Sequence, residues 1–283
     1  MKKINMAVLI TCHNRIQKTQ TCLKSLFKQK KIENINLKVF LVDDGSTDGT
    51  KEYIKKEFSN VNLIIGNGNL FWGGGMFLAW ETALKNDIEY DYFLWINDDT
   101  FLFEDAIFTL LASKKNDDDI VTGSICDPNT KKRTYGGAIN EKKFFRPFKY
   151  KVVDVNGSPQ EIDTINGNLV LIPYKAYDKV GKFDKNFFHA FGDVDYSLRA
   201  RKKNIKILLT PTHVGTCERS DKNSEIKYLK DIFNVKSLPP KVWFRVCLKH
   251  GGSLWLFHFF YRFVNLTFKI LINNFITTKK IRP

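Results

Sequence analysis

The residues of this 283-residue chain that could do chemistry fall into a few short polar clusters. Asn97-Asp98-Asp99 follows the apolar run Tyr92–Ile96. Adjacent carboxylates at a strand end need a cation or hydrogen-bond donors to neutralise them. Mg2+ and Mn2+ take hard oxygen ligands, and Mg2+ sites combine one or two carboxylates with substrate phosphates. The alternative is a solvated loop that caps the next helix. Asp43-Asp44-Gly45-Ser46-Thr47-Asp48-Gly49-Thr50 is a second acidic cluster. It could accept hydrogen bonds from a base or ribose, or serve only as a turn and helix cap.

Three further features stand out. In Gly66–Met76, five glycines (Gly66, Gly68, Gly73, Gly74 and Gly75) surround Asn69, Phe71 and Trp72. Glycines bring backbone N–H groups close to a ligand, and a helix N-terminus attracts phosphate; a tight turn is the plainer reading. Phe187–Asp195 places Asp193 after an aromatic run that includes His189. A carboxylate in a half-apolar setting has a raised pKa and suits general-base work, although an Asp there could equally cap the following helix. His213 lies just beyond an apolar run and would join the chemistry only if it folded back toward Asp99.

Alternating apolar and amphipathic stretches must position these clusters. Met6–Thr11, Leu37–Val42, Val61–Ile65, Tyr92–Ile96 and Asp119–Ser124 read as buried strands. Ile16–Gln29, Thr47–Phe58, Gly73–Lys85 and Asp193–Lys203 read as helices, with Ser46 or Thr47 as the cap of the second. Strand–helix alternation predicts an α/β fold with a mostly parallel, Rossmann-like sheet and helices on both faces. Ligands bind such sheets beyond the carboxyl ends of the strands. Thr11–Arg15, Asp43–Asp48 and Asn97–Thr100 all sit at those ends.

The formal net charge is +15, and residues 221–283 alone hold twelve Lys/Arg against three acids. That segment is also aromatic, so we expect residues 1–220 to form the α/β domain and 221–283 a helical basic appendage. A basic excess favours an anionic partner. Leu254–Ile276 is long enough to span a bilayer, but His258, Arg262, Asn265, Lys269, Asn273 and Asn274 interrupt it. An interfacial helix on an anionic membrane or an ordinary packed lid both suit it. Five widely spaced cysteines without a CxxC fit reduced thiols in the cytoplasm. No nucleic-acid-binding signature appears, and the acidic strand ends would repel a phosphate backbone.

In combination these residues resemble the family 2 glycosyltransferases of GT-A fold. Thr11-Cys12-His13-Asn14-Arg15 is similar to that family's Thr-Tyr-Asn-Arg stretch, and Val42–Thr50 to its nucleotide-binding signature. Asn97-Asp98-Asp99 resembles its metal-binding Asp-x-Asp, and Gly192-Asp193-Val194-Asp195 its Glu-Asp-Val-Asp. The resemblance implies that Thr11, Asn14, Arg15, Asp43, Asp44, Asn97 and Asp98 bind the nucleotide. It implies that Asp99 and His213 hold Mg2+ or Mn2+, and that Asp193 is the catalytic base. Gly66–Met76 resembles the donor-side loop of the rhamnosyltransferase-like branch and Leu171–Arg201 the family's acceptor-side segment, which would put Gly68, Asn69, Trp72, Gly73, Gly74 and Met76 of the first and His189 of the second at the donor and acceptor. Two departures are Gly192 in place of Glu and Asn97 in place of Asp.

The implied activity is inverting transfer of a hexosyl or deoxyhexosyl group from a nucleotide-sugar donor to a lipid-linked saccharide. The expected setting is cell-surface polysaccharide synthesis, such as capsule or O-antigen, at the inner face of the membrane. A catalytically inactive transferase-like scaffold is the main alternative, and a nucleic-acid-binding protein a more distant one.

Overall fold

The computed structural model describes residues 3–141, 147–188, 190–219 and 239–280, with side chains omitted at 269 and 272–280. The fold starts from four strands: β1 (Ile4–Cys12), β2 (Ile35–Asp43), β3 (Val61–Ile65) and β4 (Tyr92–Asn97). β1 pairs in parallel with both β2 and β4, and β2 with β3. Met6, Ala7, Val8, Leu9 and Ile10 have no exposed surface. A strand apolar on both faces is stable only at the centre of a covered sheet.

Helices cover that sheet. α1 (Ile16–Phe27) buries Thr19, Cys22, Leu23 and Leu26, one face at helical spacing. α2 (Thr50–Glu57) begins three residues later than the sequence predicts. Asp48, rather than Ser46 or Thr47, is the side-chain acceptor there: its carboxylate takes the N–H and hydroxyl of Thr50 and the N–H of Ile16. α3 (Phe71–Leu84) packs against β1 and β2. Three consecutive glycines cost about 1 kcal/mol each in a helix interior relative to alanine. The fold needs at least one of them, because a Cβ on Gly75 would lie 2.1 Å from Thr11 Oγ1.

Beyond β4 come β5 (Phe101–Leu102) and α4 (Ala106–Ala112), neither apparent from the sequence. β6 (Ile120–Cys126), β7 (Arg133–Tyr135), β8 (Gly137–Asn140), β9 (Tyr150–Val152), β10 (Gln160–Ile162), β11 (Thr164–Ile165) and β12 (Leu169–Pro173) follow. After them come α5 (Tyr174–Val180), α6 (Gly192–Lys202) and β13 (Ile207–Thr216). The main sheet runs β10-β13-β6-β12-β4-β1-β2-β3. β12 enters it antiparallel, between β4 and β6. This reversal brings the start of β12 to the carboxyl ends of β1, β2 and β4.

The chain divides into two compact units. The first is the sheet unit, Met1–Ile139, Lys151–Phe188 and Gly192–Arg219. The second comprises Asn140–Tyr150, His189–Phe191 and Ser220–Pro283. Its described helices are α7 (Pro240–His250) and α8 (Trp255–Lys280). Phe244 packs edge-on against Trp255 and Phe259, and the Arg262 guanidinium lies over the Trp243 ring. Among the described residues no helix is long and apolar enough to cross a membrane.

Candidate active site

The loops after β1 and β2 are laced together by short polar side chains. Asn14, in a left-handed conformation (φ 50°), accepts the Thr47 N–H at 2.7 Å and donates its own N–H to Ser46 Oγ. His13 Nδ1 donates to the Asp44 carbonyl at 2.6 Å. Asp43 is buried and accepts the Ser46 N–H.

Asp44 turns toward the glycine-rich loop. Its carboxylate accepts the N–H groups of Gly68 (2.8 Å), Leu70 (2.9 Å) and Phe71 (3.0 Å). Those bonds hold Phe71 at φ 53°, a conformation that bulky residues rarely adopt. Asp44 therefore shapes the Gly66–Phe71 loop as its first task. Asn69 is exposed on that loop, whereas Gly73 and Gly74 are buried in the first turns of α3. Gly73 N donates to the Phe188 carbonyl, which ties the loop to the chain leading toward α6. Met76 lies wholly within the core. Its side chain has no surface to offer a ligand, so its part is packing, and Thr11 beneath Gly75 is nearly buried too.

At the end of β4, Asn97 Oδ1 accepts the Trp72 indole N–H at 2.7 Å. Arg15 reaches across from β1: its Nη1 donates to Asp98 Oδ1 (3.1 Å) and Asp99 Oδ2 (3.0 Å). Asp98 is 5% exposed, and its Oδ2 has no hydrogen-bond partner among the described residues. Burial lifts its carboxyl to about 7, although Arg15 pulls the other way. Asp99 is more open and touches the Cys217 thiol, which burial and the Asp99 charge push well above the usual range.

Asp193 lies in the first turn of α6 and accepts the N–H groups of Val194 (2.9 Å) and Gly167 (3.1 Å). Burial raises its pKa, and those backbone donors partly offset the rise. The Trp72 ring lies over Gly167, where a Cβ would come within 2.3 Å of it. Asp193, Gly167, Trp72 and Asn97 thus form one chain of contacts between the two carboxylate sites. Gly192 is explained locally, because a Cβ there would lie 1.9 Å from the Phe183 ring. Phe183 in turn stacks edge-on against Trp72 and Trp95.

His213 is not brought to Asp99. It lies on β13 with Nδ1 3.0 Å from Ser124 Oγ, and its charged neighbours are Asp154 and Arg133. β5, which starts two residues after Asp99, pairs with β13 at Gly215 and Thr216, so the chain beyond His213, and not His213 itself, runs toward Asp99. Cys217 occupies the place by Asp99 that the resemblance gave to His213. His189 lies outside the described residues. Gly167, Asn168 and Cys217 are site neighbours that the sequence reading missed. The Asn166-Gly167-Asn168 turn before the apolar run 169–173 is the signal that could have found the first two. A separate cavity of about 640 Å³, lined by Asn5, Tyr90, Tyr92 and Tyr174 among others, opens at the opposite edge of the sheet and contains none of these groups.

The residues fit a hard divalent cation. A buried carboxylate oxygen lacks a partner beside a second, more open carboxylate, and hard cations take such oxygens. No group of three or more His, Cys, Asp or Glu able to hold a metal occurs among the described residues, so substrate oxygens would have to complete the shell.

The glycosyl transferase family 2 model matches residues 7–181. The chain belongs to that family and has its GT-A fold. The match ends before Asp193 and His213. A search of the curated proteins gives no match. Solved structures similar in fold include TarS from S. aureus, with TM-score 0.55 and 14% identity over 88% of this chain and 39% of that one. The mannosyltransferase PcManGT from Pyrobaculum calidifontis, in complex with GDP-Man and Mn2+, gives TM-score 0.55 and 14% identity over 79% of this chain and 59% of that one. GalNAc-T7 with UDP, GalNAc and Mn2+ gives TM-score 0.60 and 12% identity over 89% and 53%. The chain therefore spans 39–59% of the length of these three, and the likeness is one of fold.

Proposed function

We propose that this glycosyltransferase inverts the anomeric centre, moving a hexosyl or deoxyhexosyl group from a nucleoside diphosphate to a lipid-linked saccharide in cell-surface polysaccharide synthesis. The observation that supports this best is the continuous contact from Asp193 through Gly167 and Trp72 to Asn97. That chain of contacts links a base candidate to the strand end that carries the Asp98–Asp99 pair. Among the described residues no cationic side chain contacts Asp193, so nothing holds its carboxylate idle.

In the proposed step Asp193 takes the proton of the acceptor hydroxyl as that oxygen bonds to the anomeric carbon. The bond from that carbon to the diphosphate oxygen breaks, and its electron pair leaves with the nucleoside diphosphate. One displacement inverts the centre without an enzyme nucleophile. Asp98 and Asp99 would hold Mg2+ or Mn2+, which supplies Lewis-acid stabilisation of the departing charge. The Asp44-braced loop, with Asn69 exposed and Trp72 at its end, forms the donor-side wall.

The test is Asp193→Asn with a panel of nucleotide sugars. Transfer should fall by about 10²–10⁴-fold with donor affinity intact. The wild-type rate should climb with pH through a value above the ordinary carboxylate range, because burial favours the protonated form. Normal turnover by the Asn variant would overturn the assignment.

The membrane contact belongs to the same proposal. Leu256, Phe257, Phe260, Val264, Phe268 and Leu271 are all exposed on α8 at helical spacing. Residues 239–280 hold seven Lys/Arg and no acid. An exposed apolar stripe with basic flanks suits an anionic bilayer surface. Phe260→Glu together with Val264→Glu should abolish co-flotation with phosphatidylserine-containing vesicles; unchanged flotation would count against the contact.

A further inference from the structure

A single guanidinium bridges both carboxylates of the Asp98–Asp99 pair. The same nitrogen of Arg15, Nη1, bonds to both. The remaining donors of that guanidinium have no hydrogen-bond partner among the described residues, and its side chain is 49% exposed. The arginine does not complete the site, because the second oxygen of Asp98 stays buried and unpartnered beside it. Arg15 also stands at the very start of α1, where backbone N–H groups favour an anion.

We infer that Arg15 is a resident counter-cation of the Asp98–Asp99 pair, displaced when a divalent cation binds and then free to take the donor diphosphate. This rests on the proposed metal-holding role of that pair. Two carboxylates balance one divalent cation, and adding a guanidinium against the same oxygens would set like charges side by side. Arginine is always protonated, so it cannot relieve the conflict by losing its charge and must move. Its open donors and exposed side chain give it somewhere to go. A planar fork of N–H groups suits phosphate oxygens. Metal and donor binding are thereby coupled, since the cation that leaves the carboxylates becomes a ligand of the diphosphate.

The sign of one measurement separates this role from a purely structural one. If Arg15 merely props the carboxylates, removing it should weaken metal binding. If it competes, Arg15→Gln should bind Mn2+ alone about tenfold more tightly than wild type, a coupling of ordinary size. In saturating Mn2+ the same variant should bind nucleoside diphosphate more weakly. Arg15→Lys keeps the charge but loses the fork; it should fall between the two, and it carries the test if circular dichroism finds Arg15→Gln unfolded. Isothermal titration with Mn2+, without nucleotide, reads all three, with Asp99→Ala as the control. Equal or weaker Mn2+ binding by Arg15→Gln, with binding lost in Asp99→Ala, would overturn the displacement and leave the metal-holding pair intact. Absence of Mn2+ binding in wild type and Arg15→Gln alike would remove the pair's metal role and this inference with it.

Discussion

Two buried aspartates, at the ends of the strands on either side of β1, live in opposite circumstances. Asp44, after β2, is 4% exposed and accepts three backbone N–H groups through its carboxylate. Asp98, after β4, is 5% exposed, has one arginine nitrogen on one oxygen and leaves the other unpartnered. Both belong to acidic pairs that look alike in sequence. The first is saturated by the protein and shapes a loop, whereas the second keeps capacity in reserve. Under-satisfied buried polar atoms are rare and costly, so a ligand-binding role is the economical account of Asp98.

Breaking the saturated site should have the largest effect. Asp44→Ala deprives three N–H groups of their acceptor, at about 1–3 kcal/mol for each one left buried and unpaired. Because the loop is part-exposed, we expect a loss of about 3–6 kcal/mol in urea unfolding. A neutral result would mean that the loop does not depend on Asp44.

The second prediction has the opposite sign. The folded pKa of Asp98, about 7, lies above its ordinary value of 3.8. Its contribution to stability is present below about pH 4 and lost as pH rises through about 7. Asp98→Asn carries no such loss. Its thermal stability relative to wild type should therefore rise by about 2–4 kcal/mol between pH 4 and pH 8. Parallel pH profiles for the two proteins would erase the contrast with Asp44.

The smallest effect tests the link between the two sites. Trp72→Phe keeps the ring over Gly167 but removes the donor to Asn97, at about 1 kcal/mol of stability. A double-mutant cycle with Asn97→Ala should then show coupling, and strict additivity would mean that the wall is not continuous.

Much of the frame was legible in the sequence, because strands buried on both faces must be continuously apolar. Met6–Thr11, Val61–Ile65 and Tyr92–Ile96 fall within or match β1, β3 and β4. The polar clusters ending those runs mark the carboxyl edge for the same reason. The C-terminal amphipathic helix, expected over Leu254–Ile276, is α8, Trp255–Lys280. β5 and α4 were missed because two and seven residues carry too little periodicity to register. The antiparallel entry of β12 was invisible as well, since an apolar run has no direction written in it.

Residue type and spacing by themselves determined the α/β class, the acidic and glycine-rich loops at the strand ends, and the basic character of the tail. They could do so because burial and turn geometry act locally along the chain. Which oxygen each aspartate turns to which donor was decided only by the tertiary structure. Asp44 meets the Gly68–Phe71 backbone because β3 lies beside β2. Arg15 meets Asp98 and Asp99 because β1 lies beside β4. Cys217, and not His213, reaches Asp99 because the end of β13 pairs with β5. Lateral strand order brings together residues far apart in sequence, and no local pattern encodes it.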